Sequence, residues 1–114
     1  MLGVPNADEA VIDPRKLTDY LLAHSHPLGR SKARFFESLG FAAARADLLE
    51  SALRELAKQP DGIMTQDTGF GTKYIADGSL RGPTASARVR TVWIVERGTE
   101  IPRFVTAYPW SEPR

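Results

Sequence analysis

The stretch Arg88-Val89-Arg90-Thr91-Val92-Trp93-Ile94-Val95-Glu96 decides the fold class. It is dense in β-branched and aromatic residues, which suit a pleated, half-buried strand. Side chains alternate along a strand. Val89, Thr91, Trp93 and Val95 therefore share one face, and Val92 and Ile94 share the other with Arg88 and Arg90. A strand apolar on both faces expects helices on one side, with a loop or a partner on the other. Downstream, Arg97-Gly98-Thr99-Glu100 reads as a hairpin turn and residues 101–108 as the partner strand. There Thr106 and Tyr108 are expected to share a face with Phe104 and Trp110. Upstream, residues 63–68 form a weaker strand and residues 72–76 a second. An Asp77-Gly78 turn signal follows, and residues 78–86 read as a loop. Short links between consecutive strands predict an antiparallel four-stranded meander.

The first half of the chain is helical in pattern. Asp13-Pro14 is a capping residue followed by proline at the first helical position. Leu17, Tyr20 and Leu21 then make one apolar face, which stops before Pro27. A second helix runs over about residues 31–39, with Phe35, Phe36 and Leu39 inward, Gly40 at its C-cap and Phe41 packing back. The third carries Leu48, Leu49, Ala52, Leu53, Leu56 and Ala57, with a Glu50–Arg54 pair outside and Pro60-Asp61-Gly62 at its end. The predicted class is α+β: about three N-terminal helices packed on a four-stranded antiparallel sheet. Residues 1–12 read as a loose segment, 13–110 as one domain and 111–114 as a tail.

Composition limits the chemistry. The 114 residues carry 15 Lys and Arg against 14 Asp and Glu, so a nucleic-acid role would rest on a local basic patch rather than on net charge. Without cysteine there is no disulfide, thiolate nucleophile or cysteine-based zinc site, and two histidines make a transition-metal site improbable; no cofactor is expected. No apolar run approaches bilayer length and Met1-Leu2-Gly3-Val4-Pro5 lacks a signal-peptide pattern, so the expectation is a complete, cytoplasmic chain with no membrane partner. Gly69-Phe70-Gly71-Thr72-Lys73 is not a phosphate loop, because it leads into a strand rather than a helix.

The candidate site residues are His26, Lys32, Lys73, Arg88, Arg90, Thr106 and Tyr108. His26, with His24 near it, titrates near neutral pH and precedes a helix start that favours phosphate; the plain alternative is an exposed loop histidine. Lys32 sits in the first turn of that helix, where a cation is electrostatically disfavoured, and can serve a phosphate or simply lie on Phe36. Lys73 can point from the sheet into a cleft. Arg88 and Arg90, two apart on one strand, form a phosphodiester clamp or a solvated strand end. Thr106 can bond a phosphate oxygen, and Tyr108 can stack a base, donate a proton or merely pack. Asp61, Asp67 and Asp77 fall at expected turns and make no paired-carboxylate motif.

The segments Lys16–Leu22, His26–Phe36 and Val89–Val95 through Thr106-Ala107-Tyr108-Pro109 resemble a bacterial family of small domains. Its members stand alone or end large polymorphic toxins, often beside a small antitoxin. The resemblance spans about residues 12–110. Its layout is similar to the barnase–EndoU–colicin–RelE group of ribonuclease toxins, which implies RNA lying across the sheet. It also implies His26 or Lys32 as proton carrier or phosphate ligand, Lys73, Arg88 and Arg90 as transition-state cations, and Thr106 with Tyr108 as strand-end contacts. The expected activity is metal-independent RNA cleavage by 2′-hydroxyl attack, with a small acidic antitoxin covering the cleft. The alternative is a non-catalytic interaction module, either antitoxin- or immunity-like or homodimeric.

Overall fold

The structure, a computed structural model, describes residues 3–22 and 30–111, residues 30 and 31 by their backbone alone. His24 and His26 lie outside the described residues.

Three helices pack on one four-stranded antiparallel sheet of order β1-β2-β3-β4, the expected α+β meander. Helix α1 (Pro14–Lys16) starts where Asp13 accepts a hydrogen bond from the Arg15 amide, and widens into a π-helical turn over Leu17–Leu21. Helix α2 is Arg30–Ser38 and α3 is Ala46–Lys58. Gly40 takes φ 99°, and the Phe41 amide reaches back to the Phe36 carbonyl, as a glycine-capped helix end requires. The strands are β1 (Gly62–Thr68), β2 (Gly71–Arg81), β3 (Ser86–Glu96) and β4 (Arg103–Pro109). The core lies between the helices and one sheet face, around Phe36, Leu49, Leu53, Trp93 and Phe104. No helix of the described residues is long and apolar enough to cross a membrane.

Three local expectations are corrected. Residues 1–12 were expected to be loose, yet Val4, Ala7, Ala10 and Ile12 are buried. The Val4 amide bonds the Ala57 carbonyl, and Val11 bridges Arg103 at the outer edge of β4. Their apolar residues are too scattered to announce a helix or strand, but each finds a place under α3 or beside β4.

Asp77-Gly78 is not a turn. Strand β2 runs through it and pairs with β3 as far as Arg81–Ser86, which leaves a short link in place of a loop over 78–86. Packing favours glycine there: a Cβ at Gly78 would lie 3.2 Å from Leu56 Cγ of α3, a tight approach that Leu56 would have to ease. Asp77, on the opposite face, has a cross-strand partner in Arg90.

Phe104 does not share a face with Thr106. Trp93 pairs with Phe104 while Val92 pairs with Thr106, so Val105 is an extra residue in β4, a β-bulge. The bulge turns Phe104 into the core, edge-on to Trp93 at 5.2 Å between ring centroids, and leaves Thr106 on the face away from α3. Lys16 Nζ donates to the Val105 carbonyl at 3.0 Å, giving the bulged residue a partner outside the ladder.

Candidate functional site

The sheet face turned away from α3 carries Lys73, Ile75 and Asp77 from β2, Arg88, Arg90, Val92 and Ile94 from β3, and Thr106 and Tyr108 from β4. At its β4 edge the helical segment adds Tyr20 and Lys32. Lys32 Nζ donates to the Tyr20 hydroxyl at 2.6 Å and to Thr106 Oγ1 at 3.1 Å. The same ammonium lies 4.6 Å from the centroid of the Tyr20 ring and 5.6 Å from that of Tyr108. A cation flanked by two aromatic rings and two hydroxyls is held in place with no carboxylate partner among the described residues.

The local sequence explains why these groups meet. Ala33 and Phe36 are the buried face of α2, so Lys32, next to Ala33, falls at the border of that face. The π-helical turn shifts the side chains that follow α1 relative to a regular helix. Tyr20 thereby packs its ring on the core, half-buried, with its hydroxyl at the sheet edge. The hydrogen bond from Lys32 and its positive charge hold the Tyr20 phenol below the ordinary tyrosine pKa, against the opposing effect of burial.

Arg90 stands opposite Tyr108 in the β3–β4 ladder and opposite Asp77 in the β2–β3 ladder. It grips Asp77 through two hydrogen bonds of 2.8 and 2.9 Å and stacks on Trp110, with 3.6 Å from the guanidinium carbon to the ring centroid. Both members of the ion pair are largely buried, at 15% and 17% side-chain exposure. The bond to Asp77 raises the Arg90 pKa, and Tyr108 acts in the same direction.

The structure thus brings four of the sequence candidates together: Lys32, Arg90, Thr106 and Tyr108. Arg88 is two residues along β3 on the same face, exposed and paired with Asp61. Lys73 is half-exposed and four residues along β2 from Asp77, about 13 Å at the strand rise of ~3.3 Å per residue, so it is not part of the cluster. His26 lies outside the described residues. Tyr20 was legible only as an apolar-face residue, although a half-buried tyrosine hydroxyl needs a polar partner. Asp77 was hidden by the glycine after it, and Trp110 by its aromatic neighbours. Among the described residues, no group of three or more His, Asp or Glu is placed to hold a metal ion.

The fold is that of a small α+β domain seen in a toxin–immunity assembly. A solved structure described as a contact-dependent growth inhibition toxin–immunity protein complex from Klebsiella pneumoniae 342 contains a chain with a TM-score of 0.70 and 21% identity. The match covers 89% of this chain and 100% of that one. A family model, described as a domain of unknown function (DUF6883), matches residues 3–111, and the chain belongs to that family. Comparison with curated proteins found no match.

Proposed function

We propose that this chain is the toxin half of a toxin–immunity system and that it cleaves RNA at the Tyr20–Lys32–Thr106–Tyr108–Arg90 cluster. The observation that carries the reading is the Lys32 ammonium. It is tied to a phenol of lowered pKa and to a threonine hydroxyl, on the sheet face turned away from α3, with a guanidinium close by. These are the parts that phosphodiester transesterification needs: a proton acceptor, cations for the phosphorane and a proton donor. The fold shared with a chain of a toxin–immunity complex supports the system-level reading.

In this mechanism the Tyr20 phenolate removes the proton from a ribose 2′-hydroxyl. The 2′-oxygen bonds to the adjacent phosphorus, and the bond from phosphorus to the 5′-oxygen breaks. Lys32 and Arg90 stabilise the equatorial oxygens of the phosphorane, Thr106 donates to one of them, and Tyr108 delivers a proton to the departing 5′-oxygen. The products are a 2′,3′-cyclic phosphate and a 5′-hydroxyl. Arg88 contacts the flanking backbone, Lys73 serves a more distant phosphate, and His26 is a second proton carrier from the α1–α2 connection. No metal or cofactor is assigned a role, the reaction takes place in the cytoplasm, and a small acidic immunity protein covers the basic face.

The test is incubation of the purified protein with total tRNA and ribosomal RNA in excess EDTA, beside Lys32→Ala, Tyr20→Phe, His26→Ala and Arg88→Ala/Arg90→Ala variants. The expected result is cleavage to 2′,3′-cyclic phosphate ends, reduced about 100- to 1,000-fold by Lys32→Ala. A second reading is a non-catalytic interaction module, favoured by the prior neutralisation of Arg90 by Asp77. Wild-type protein that leaves both RNAs intact, with and without magnesium, would put that reading first.

A further inference from the structure

Strand β2 outruns its neighbour on one side. β1 joins it only from Gly62, opposite Asp77, whereas β3 pairs with it as far as Arg81–Ser86. The chain leaves α3 through Gln59 and Pro60, and proline has no amide with which to extend the β1 ladder. Residues 78–81 of β2 therefore form an overhang of about 13 Å, at ~3.3 Å per residue, with a strand on one side alone. The direction of its backbone groups is fixed at both ends. The Asp77 carbonyl accepts from the Asp61 amide on the β1 side, and the Gly82 amide donates to the Ala85 carbonyl on the β3 side. These groups alternate along a strand, so Ser79 and Arg81 turn amide and carbonyl outward, away from β3. Among the described residues, none of these four groups has a partner. Beside the overhang lies a groove of about 700 Å³, bounded by α3, Asp61, Ser79 and Arg81. Its apolar wall includes Phe41, Ala52, Leu56 and Leu48, the last one of the few large apolar side chains left exposed. Of its charged groups, Glu55 pairs with Lys58 and Asp61 with Arg88, while Arg81 has no ion pair among the described residues.

We propose that this groove takes an extended segment of a partner protein, added to β2 as a short antiparallel strand in line with β1. The chemistry of the occupant follows from the two walls. Outward amides and carbonyls at alternate positions need an extended backbone, which a helix does not present. Segment residues opposite Leu80 and Gly78 share the face of those two buried residues, against α3, and have to be apolar. The residue opposite Arg81 lies on the other face, where a carboxylate gives the guanidinium its partner. The segment therefore reads acidic, apolar, any residue, apolar. A second copy of this chain does not supply it. The matches within the sequence are Glu9–Ile12 and Asp19–Leu22, and Ala10, Ile12 and Leu22 are already buried in the core. The inference does not depend on the ribonuclease reading, because no residue of the Lys32 cluster lines the groove.

The test titrates the peptide acetyl-Val-Glu-Val-Thr-Val-amide into the isotope-labelled full chain and follows the backbone amides by NMR. Its glutamate falls opposite Arg81 and its threonine opposite Ser79 in the proposed register. The expected result is saturable movement of the Ser79 and Arg81 amides, with a Kd of about 1 mM or below and slowed hydrogen exchange at both. Ser79→Pro removes an outward N–H while leaving the β2–β3 ladder whole, so it should abolish binding with an unchanged circular dichroism spectrum. The same peptide N-methylated at threonine cannot donate to the Ser79 carbonyl and should also fail, with no change to the protein. Arg81→Glu should weaken binding about 2- to 5-fold and favour a peptide with lysine in place of glutamate. Three results would overturn the proposal: no saturable shift up to about 5 mM peptide, binding indifferent to N-methylation, or shifts at Ser79 and Arg81 that grow with protein concentration alone, as a second copy in the groove would give.

Discussion

Thr91→Val is the most informative single change to the core, because one buried oxygen serves two partners. Thr91 is fully buried, and its Oγ1 donates to the Ala76 carbonyl at 2.8 Å while accepting from Trp93 Nε1 at 2.8 Å. Valine has nearly the same shape, so no cavity forms and the cost is polar. Leaving the indole N–H unsatisfied costs about 1–3 kcal/mol, and losing the bond to the carbonyl adds about 0.5–1.5. The total is about 1.5–4.5 kcal/mol. An unfolding entropy of about 2.1 cal/mol/K per residue gives ~0.24 kcal/mol/K for a chain of this length, so the melting temperature should fall by about 6–19 °C. Thermal melts followed by circular dichroism, with reversibility checked, measure this directly. The cost should shrink to that of the Ala76 bond when Thr91→Val is made in a Trp93→Phe background, where no indole donor remains. A drop of less than about 2 °C, or strict additivity in that cycle, would refute the assignment of the threonine as the indole's acceptor.

Other outcomes follow from the same geometry. Lys16→Met should cost about 1–2 kcal/mol in urea unfolding, because the bulged Val105 carbonyl loses its donor. Asp77→Ala should lower the melting temperature, and most of the loss should persist at high salt, because the Arg90–Asp77 pair is shielded from solvent; the exposed Arg15–Asp13 pair should show the opposite salt behaviour. If Tyr20 is the proton acceptor, cleavage should rise with pH along a limb centred below the ordinary tyrosine value of about 10, since Lys32 favours the phenolate, and Tyr20→Phe should abolish that limb. Lys32→Met should move the Tyr20 phenol back up, seen as delayed tyrosinate absorbance in an alkaline titration, whether or not RNA is cleaved.

Much of the fold was legible because local signals agreed with tertiary demand. Asp13-Pro14 caps a helix on its own chemistry, and Glu50 and Arg54 meet at 3.1 Å because helical spacing brings them together. The alternation in residues 88–96 gave the correct faces, since a central strand has no freedom to slip. The failures share one cause: long-range partners outweigh local rules. Asp77-Gly78 carries a turn's chemistry, but Arg90 claims the aspartate and Leu56 the space above the glycine. Phe104 breaks its alternation because a bulge is set by what β4 packs against, not by its own residues. The helix-side half of the cluster was half legible: Lys32 stood out as a charge in an unfavourable place, whereas Tyr20 looked like core until its hydroxyl was seen to need a neighbour.

The bulge at Val105 ties the interior of this protein to its candidate chemistry through chain length. Two residues on either side of one position serve opposite masters: Phe104 fills the core and Thr106 holds the ammonium of Lys32. Removing Val105 would restore regular pleating with Phe104 and Thr106 as neighbours on opposite faces, the sides they already occupy; what it would take away is the carbonyl that holds Lys16. A single-codon deletion at position 105 therefore leaves both faces in register and frees the Lys16 ammonium. Among homologues, a gap at this position should go together with loss of the lysine at position 16.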